Sequence, residues 1–215
     1  MHEHKRYFLM TALLLPVSLL TSCRGSEPSA QPEAPTAIEL SYRILKTQRN
    51  VMLAVPEDHE FSSGNQMRIA MRINLDASIY VFATGRGDDI EVIYPESQAD
   101  ADRARFLANQ EKAVPIRGFF VFDARPGTVE LVVLASRSPL DALERSIRGN
   151  RLSESAWEDL VAPRLARAAE NPPVVHRITG SPQRAQDAPW NTVAAPLDQA
   201  TDGCLIHRIK LTHRR

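Results

Sequence analysis

Met67-Arg68-Ile69-Ala70-Met71-Arg72-Ile73-Asn74 alternates large apolar residues with polar or small ones. A period of two belongs to a strand with one buried and one wet face, because successive side chains of an extended chain point to opposite sides. Just upstream, Ser62-Ser63-Gly64-Asn65 is a turn cluster. Downstream, beyond Asp76, Ser78-Ile79-Tyr80-Val81-Phe82-Ala83 reads as a second strand. Gly85-Arg86-Gly87-Asp88-Asp89 then turns the chain into Glu91-Val92-Ile93-Tyr94, which Pro95 ends. Further strands are expected at residues 42–47, 51–55, 118–123 and 129–135, with Arg125-Pro126-Gly127 turning between the last two. Short strands separated by turns favour antiparallel pairing, since a parallel sheet would interleave full-length helices. The expected fold is mostly β: an antiparallel β-sandwich, immunoglobulin-like or jelly-roll-like, with a few short peripheral helices.

Three helical segments are expected around it. Ser97 and Asp100 have capping-box spacing and open a short helix through about Ala108. Ser138-Pro139-Leu140-Asp141 combines an N-cap, a proline at the first helical position and an early acid. Gly149 supplies the stop, and Leu140, Leu143 and Ile147 share one face. Ser155 and Glu158 open an amphipathic segment carrying Trp157, Leu160, Val161, Leu165 and Ala168, which Pro163 should kink. These stripes read as packing faces. Pro172, Pro173, Pro182, Pro189 and Pro196 then break up the stretch to Thr201, which reads as a loop or disordered tail. Leu205-Ile206-His207-Arg208-Ile209-Lys210-Leu211 is strand-like again and is expected to return to a sandwich edge.

The N-terminal end has a different pattern. His2-Glu3-His4-Lys5-Arg6 is a short basic region, followed by a mostly apolar run from Tyr7 to Leu20. That run falls short of the roughly 20 apolar residues a membrane span needs, and it fits a signal sequence. It ends in Leu20-Thr21-Ser22-Cys23, which resembles the bacterial lipobox. The resemblance implies cleavage after Ser22 and attachment of diacylglycerol and palmitate to Cys23, anchoring the chain to a membrane. Each buried methylene contributes about 0.8 kcal/mol, so several acyl chains on one cysteine hold a protein there almost permanently. Arg24 follows, where Asp would favour inner-membrane retention, so the outer membrane is the expected location, with the domain facing the periplasm.

The chain of 215 residues divides accordingly. Residues 1–22 are the signal peptide and 23–36 a Pro-rich tether able to extend about 3.1 Å per residue. Residues 37–138 are the sandwich, 139–170 a helical extension, 171–203 the Pro-rich loop or tail, and 204–215 a final strand. Basic and acidic side chains number 26 each, and removing Glu3, Lys5 and Arg6 with the signal leaves 24 and 25. Such a balance argues against a nucleic-acid partner, which needs a surplus of clustered positive charge.

Phe61-Ser62-Ser63-Gly64-Asn65-Gln66-Met67-Arg68, Ile79-Tyr80-Val81-Phe82, Val92-Ile93-Tyr94-Pro95 and Pro126-Gly127-Thr128-Val129-Glu130, leading to Val133-Leu134-Ala135-Ser136, occur in a telling order. Over residues 40–140 the chain resembles domain of unknown function 4384, a bacterial family found in lipoproteins and beside kinase or caspase-like peptidase domains. Asn65 stands where members usually carry Asp, a change that keeps the turn chemistry. The resemblance implies an accessory or sensing module and brings no catalytic residues with it.

Motifs of chemistry are sparse. Nucleophile-elbow, zinc-protease, phosphate-loop, dinucleotide and Cys-x-x-Cys patterns are absent from the sequence. His59, His176, His207 and His213 lack metal-ligand spacing, and no cofactor or metal is expected. The acid groups Asp88-Asp89 with Glu91, and Asp100 with Asp102, read as a solvated turn and a helix N-terminus rather than a calcium site. Arg86-Gly87-Asp88 reads as turn structure. Tyr80, Phe82, Tyr94, Phe119, Phe120 and Phe122 read mostly as core. With Cys23 lipidated, Cys204 is left to cross-link a partner molecule or to be buried as a small hydrophobe, and its apolar flank favours burial. The expectation is a non-catalytic, lipid-anchored module that binds an envelope protein or cell-wall polymer. The alternative is a periplasmic hydrolase whose catalytic residues are dispersed along the chain.

Overall fold

In β1 (Ala37–Gln48), Ile38, Leu40, Tyr42 and Ile44 are fully buried while Glu39 and Arg43 on the opposite face meet solvent. This comes from a computed structural model that describes residues 35–85, 90–96, 105–123, 125–198, 200 and 203–214. The signal sequence with Leu20, Thr21, Ser22 and Cys23, most of the tether, Arg86-Gly87-Asp88-Asp89, Asp100 and Asp102 lie outside the described residues.

Among the described residues an eight-stranded sheet assembles around β1 from β2 (Val51–Val55), β4 (Gln66–Ile73), β8 (Lys112–Val114), β9 (Phe120–Val121), β12 (Val174–His176), β13 (Gln183–Arg184) and β14 (Asn191–Pro196). One edge of β1 pairs with β14 along its first half and β2 along its second, and the other edge pairs with β4. Strands β8 and β9 lie end to end along β4, and β12 and β13 extend the sheet beyond β14 and β2.

Among the described residues the second sheet has seven strands. They are β3 (Glu60–Ser62), β5 (Ala77–Thr84), β6 (Ile90–Tyr94), β7 (Arg105–Phe106), β10 (Gly127–Ser136), β11 (Arg151–Leu152) and β15 (Cys204–Arg214). Their order is β11-β6-β5-β10-β15-β3, with β7 beside β5 and the β15–β3 pair parallel.

Inward rows from β1 and β4 meet inward rows from β5, β10 and β15 to make the main core. Fully burying an aliphatic side chain contributes roughly 1.5–3 kcal/mol, so Leu205, Ile209 and Leu211 of β15 carry a large share of the closure. Strands β5 and β10 are buried on both faces. Their outer face is covered by α1 (Asp141–Ser146), α2 (Glu154–Leu160) and α3 (Ala162–Glu170), which pack Leu143, Val161 and Leu165 onto Tyr80, Phe82, Val132 and Leu134. Tyr80 fastens that layer: its hydroxyl donates to Glu144 at 2.6 Å and accepts from the Leu140 amide at 2.9 Å.

The sandwich is the expected fold, and several details differ from the sequence reading. Of the helix expected from Ser97 to about Ala108, residues 97–104 lie outside the described residues; Arg105–Phe106 form a strand paired with Ala77 and Ser78. Residues 171–203 supply three strands to the larger sheet, β14 between β1 and β12, and the short β12 and β13 at its margins; Pro172, Pro173, Pro182 and Pro189 fall between the strands and Pro196 ends β14. Thus the sandwich is not confined to residues 37–138. The final strand pairs with β10 from Cys204 to His213, and its last residues, Thr212–Arg214, also pair with β3. Pro163 separates two helices rather than kinking one, and Ser153, not Ser155, caps the first of them by accepting the Ala156 amide.

Candidate functional site

The inward phase of β15 runs Leu205, His207, Ile209, Leu211, His213, so two imidazoles enter a space otherwise filled with hydrocarbon. Each finds a polar partner from a distant part of the chain, as buried polar groups must.

His207 meets Tyr42 of β1, with its Nε2 3.1 Å from the tyrosine hydroxyl. That hydroxyl donates to Glu57 Oε1, so its oxygen accepts from His207 Nε2–H. His207 Nε2 lies 3.7 Å from Glu57 Oε1, ion-pair range but too long for a hydrogen bond. The other carboxylate oxygen accepts from Arg177 Nε at 2.6 Å. Burial alone pushes the Glu57 carboxyl up; its interactions with His207 and Arg177 outweigh burial and hold it below its ordinary value of 4.5. Glu57 sits in the loop after β2 and Arg177 just after β12, so the group clips two loops onto the open side of the sandwich. Beside it, a shallow surface groove is lined by Asp58, Thr179, Arg208, Lys210 and Thr212.

His213 meets Ser63 in the turn after β3, with Nε2 3.2 Å from the serine oxygen. Its Nδ1–H donates to the Arg125 carbonyl at 2.7 Å, leaving the Nε2 lone pair to accept from Ser63. A serine against a histidine lone pair is the beginning of a nucleophile–base arrangement. The neighbouring amides are committed elsewhere, however: Gly64 N–H donates to Phe122, Asn65 N–H to Ser62, and Ser62 N–H to the Asn65 side chain. An acyl-transfer site needs free amides aimed at a developing oxyanion. This pair is built as a turn clamp.

A cleft of about 360 Å³ opens between β6 and β9, within the size range of small-ligand sites. Val92, Ile93, Phe119 and Phe120 form its apolar walls, with Glu91, Glu96, Arg117 and Asn150 at its margin. A second pocket, beside Arg43 and Asn191, encloses only about 30 Å³, room for one or two waters.

Among the sequence-derived candidates, Tyr80, Phe82, Tyr94, Phe120 and Phe122 are buried and Phe119 is exposed. Cys204 is buried on the outward face of β15 beneath the helices. Among the described residues no three His, Cys, Asp or Glu side chains gather as a metal site. No local pattern pairs Glu57 with His207 or Ser63 with His213, because the partners of each pair lie 150 residues apart. The available signal was phase: a histidine on the inward side of an apolar strand must find a polar partner.

These features define a two-sheet β domain with a helical layer on one sheet and buried histidine clips between the two. No family model matches the chain, and neither a curated protein nor a solved structure shows a match to it.

Proposed function

We propose that this protein is a bacterial envelope lipoprotein, anchored through acyl chains on Cys23 and acting as a non-catalytic binding, assembly or sensing module. The observation that carries the reading is Leu20-Thr21-Ser22-Cys23 at the end of a basic and then apolar leader. A Pro-rich tether and a folded domain follow, as a displayed module requires. Arg24 after the anchor favours the outer membrane.

A binding role is supported by how the chemistry is distributed. The cleft between β6 and β9 has apolar walls, and the Ser63–His213 pair is not among its lining residues. The residues over 40–140 that resemble domain of unknown function 4384 agree with an accessory role. An envelope protein or cell-wall polymer is the expected partner.

Growth of a bacterial host on labelled palmitate tests the anchor. The wild-type chain is expected to carry label and sediment with membranes, and the Cys23→Ala chain to do neither. Equal sedimentation and maturation of both forms would overturn the proposal. Cross-linking followed by pull-down from solubilised membranes then identifies the partner.

A further inference from the structure

The side of β15 away from β10 is mostly open. Among the described residues its strand neighbour there is β3, which reaches Thr212–Arg214 and no further. Where the remaining main-chain groups point follows from the ladder on the other side. Arg137 N–H donates to the Gly203 carbonyl at 3.4 Å, one step beyond the Ser136↔Cys204 pair, and the register with β10 runs unbroken from there. Bonded pairs of an antiparallel ladder recur at every second residue, so Leu205, His207, Ile209 and Leu211 direct their N–H and C=O groups to β10. Ile206, Arg208 and Lys210 aim theirs the other way. Ile206 is buried, whereas Arg208 and Lys210 are exposed.

The chain leading into β3 leaves space beside these two residues. His59 N–H closes a turn on the Pro56 carbonyl at 3.1 Å, and Glu57 reaches over to Tyr42 and Arg177, so residues 56–59 do not continue the pairing of β3 along β15. Between them lies the groove of about 590 Å³, with Arg208, Lys210 and Thr212 on one side and Asp58, Arg177 and Thr179 on the other. Unpaired N–H and C=O groups at strand spacing are complementary to another extended main chain. That chemistry selects a polypeptide over a sugar polymer or a lipid surface.

Charge narrows the occupant further. Glu130 on β10 lies 3.6 Å from Arg208, and among the described residues Lys210 has no carboxylate at ion-pair distance. A twofold pairing of β15 with a second copy would set Arg208 and Lys210 against each other or against themselves, and like charges directly opposite are destabilising. The tether fits no better, since Pro28, Pro32 and Pro35 lack the amide donors of a strand. A foreign strand with an acidic residue opposite Lys210 meets both requirements.

We infer that the open edge of β15 binds an extended segment of a partner protein as an added strand in line with β3, held by the main chain of Arg208 and Lys210, with a carboxylate of the partner on Lys210. This rests on the reading of the protein as a binding module and names its partner as polypeptide rather than cell-wall polymer.

Amide hydrogen exchange of the mature lipidated chain in detergent micelles, followed residue by residue by NMR, tests this with a synthetic peptide that alternates valine and glutamate. Saturating peptide is expected to slow the Arg208 and Lys210 amides roughly tenfold or more, while those of His207 and Ile209, already bonded to β10, do not change. The same peptide methylated on its backbone nitrogens has no effect. A peptide alternating valine and lysine binds roughly fivefold more weakly, and Lys210→Gln removes that preference with the far-ultraviolet β signal intact. Binding of the methylated peptide, equal affinity for the acidic and basic peptides, protection confined to β9 or β12, or no protection at all would each overturn the inference. So would protection of Arg208 and Lys210 that rises with protein concentration in the absence of peptide, which assigns the edge to a second copy. Soluble cell-wall fragments separate this inference from the binding reading: if they alter exchange and the peptide does not, the module stands and the β15 edge falls.

Discussion

Glu57 keeps one oxygen on a buried tyrosine and the other on a half-exposed arginine, and this division sets its acid response. Its folded-state pKa lies below the ordinary 4.5, so the stabilisation it gives is present above that value. It is lost as pH falls through the lower folded value. Urea unfolding from pH 3 to 7 is expected to show this acid-side loss in wild type and a flatter profile in Arg177→Gln. An unchanged profile would mean that Arg177 does not hold the carboxyl down. Tyr42→Phe removes the hydroxyl that joins Glu57 to His207 and is expected to cost about 1–3 kcal/mol, because two buried groups lose a partner. Ser63 is expected to resist a fluorophosphonate probe in the native protein, since the amides beside it already serve the turn. Labelling of Ser63 that vanished in His213→Gln would instead establish a working nucleophile.

Turns and helices show a similar dependence on remote partners. Gly85 closes β5 with φ +94°, and a Cβ there would sit 2.8 Å from the Thr128 carbonyl oxygen of β10. Gly85→Ala combines left-handed strain with a backbone clash, and a loss of about 2 kcal/mol or more is expected in chemical denaturation. Leu143→Ala empties a site between α1 and the second sheet, with an expected loss of about 2–5 kcal/mol. The strands at 67–73 and 78–83 could be read from sequence because hydrophobic phase is a local property. Strands β3, β7, β12 and β13 are two or three residues long, and pairing from elsewhere creates them. No local pattern announces such strands. Arg105–Phe106, expected at the end of a helix, instead pairs with Ala77–Ser78. The site residues were hidden for the same reason: β15 brings His207 and His213 to Tyr42 and Ser63 only when the sandwich closes.

Closure of the whole molecule depends on that last strand. β15 pairs with β10 from Ser136↔Cys204 to Gly127↔His213 and holds β3 on its far side. Its inward residues Leu205, Ile209 and Leu211 fill the main core, while Cys204 and Ile206 face the helical layer. Removing it would strip both cores, release β3 and leave Tyr42 and Glu57 without His207. Burial of those five side chains contributes on the order of 10 kcal/mol, comparable to the whole net stability of an ordinary domain. A chain ending at Gly203 is therefore expected not to fold, whatever local propensity its earlier strands retain. Cys204 supplies a check in the intact protein, because at 3% exposure its thiol should react with an aromatic disulfide reagent only when the domain opens. In mature protein, the urea dependence of that reaction is expected to coincide with loss of the far-ultraviolet β signal. A soluble, protease-resistant chain ending at Gly203, or a thiol that reacts well before the sheets melt, would show that β15 is an appendage to a sandwich already closed without it.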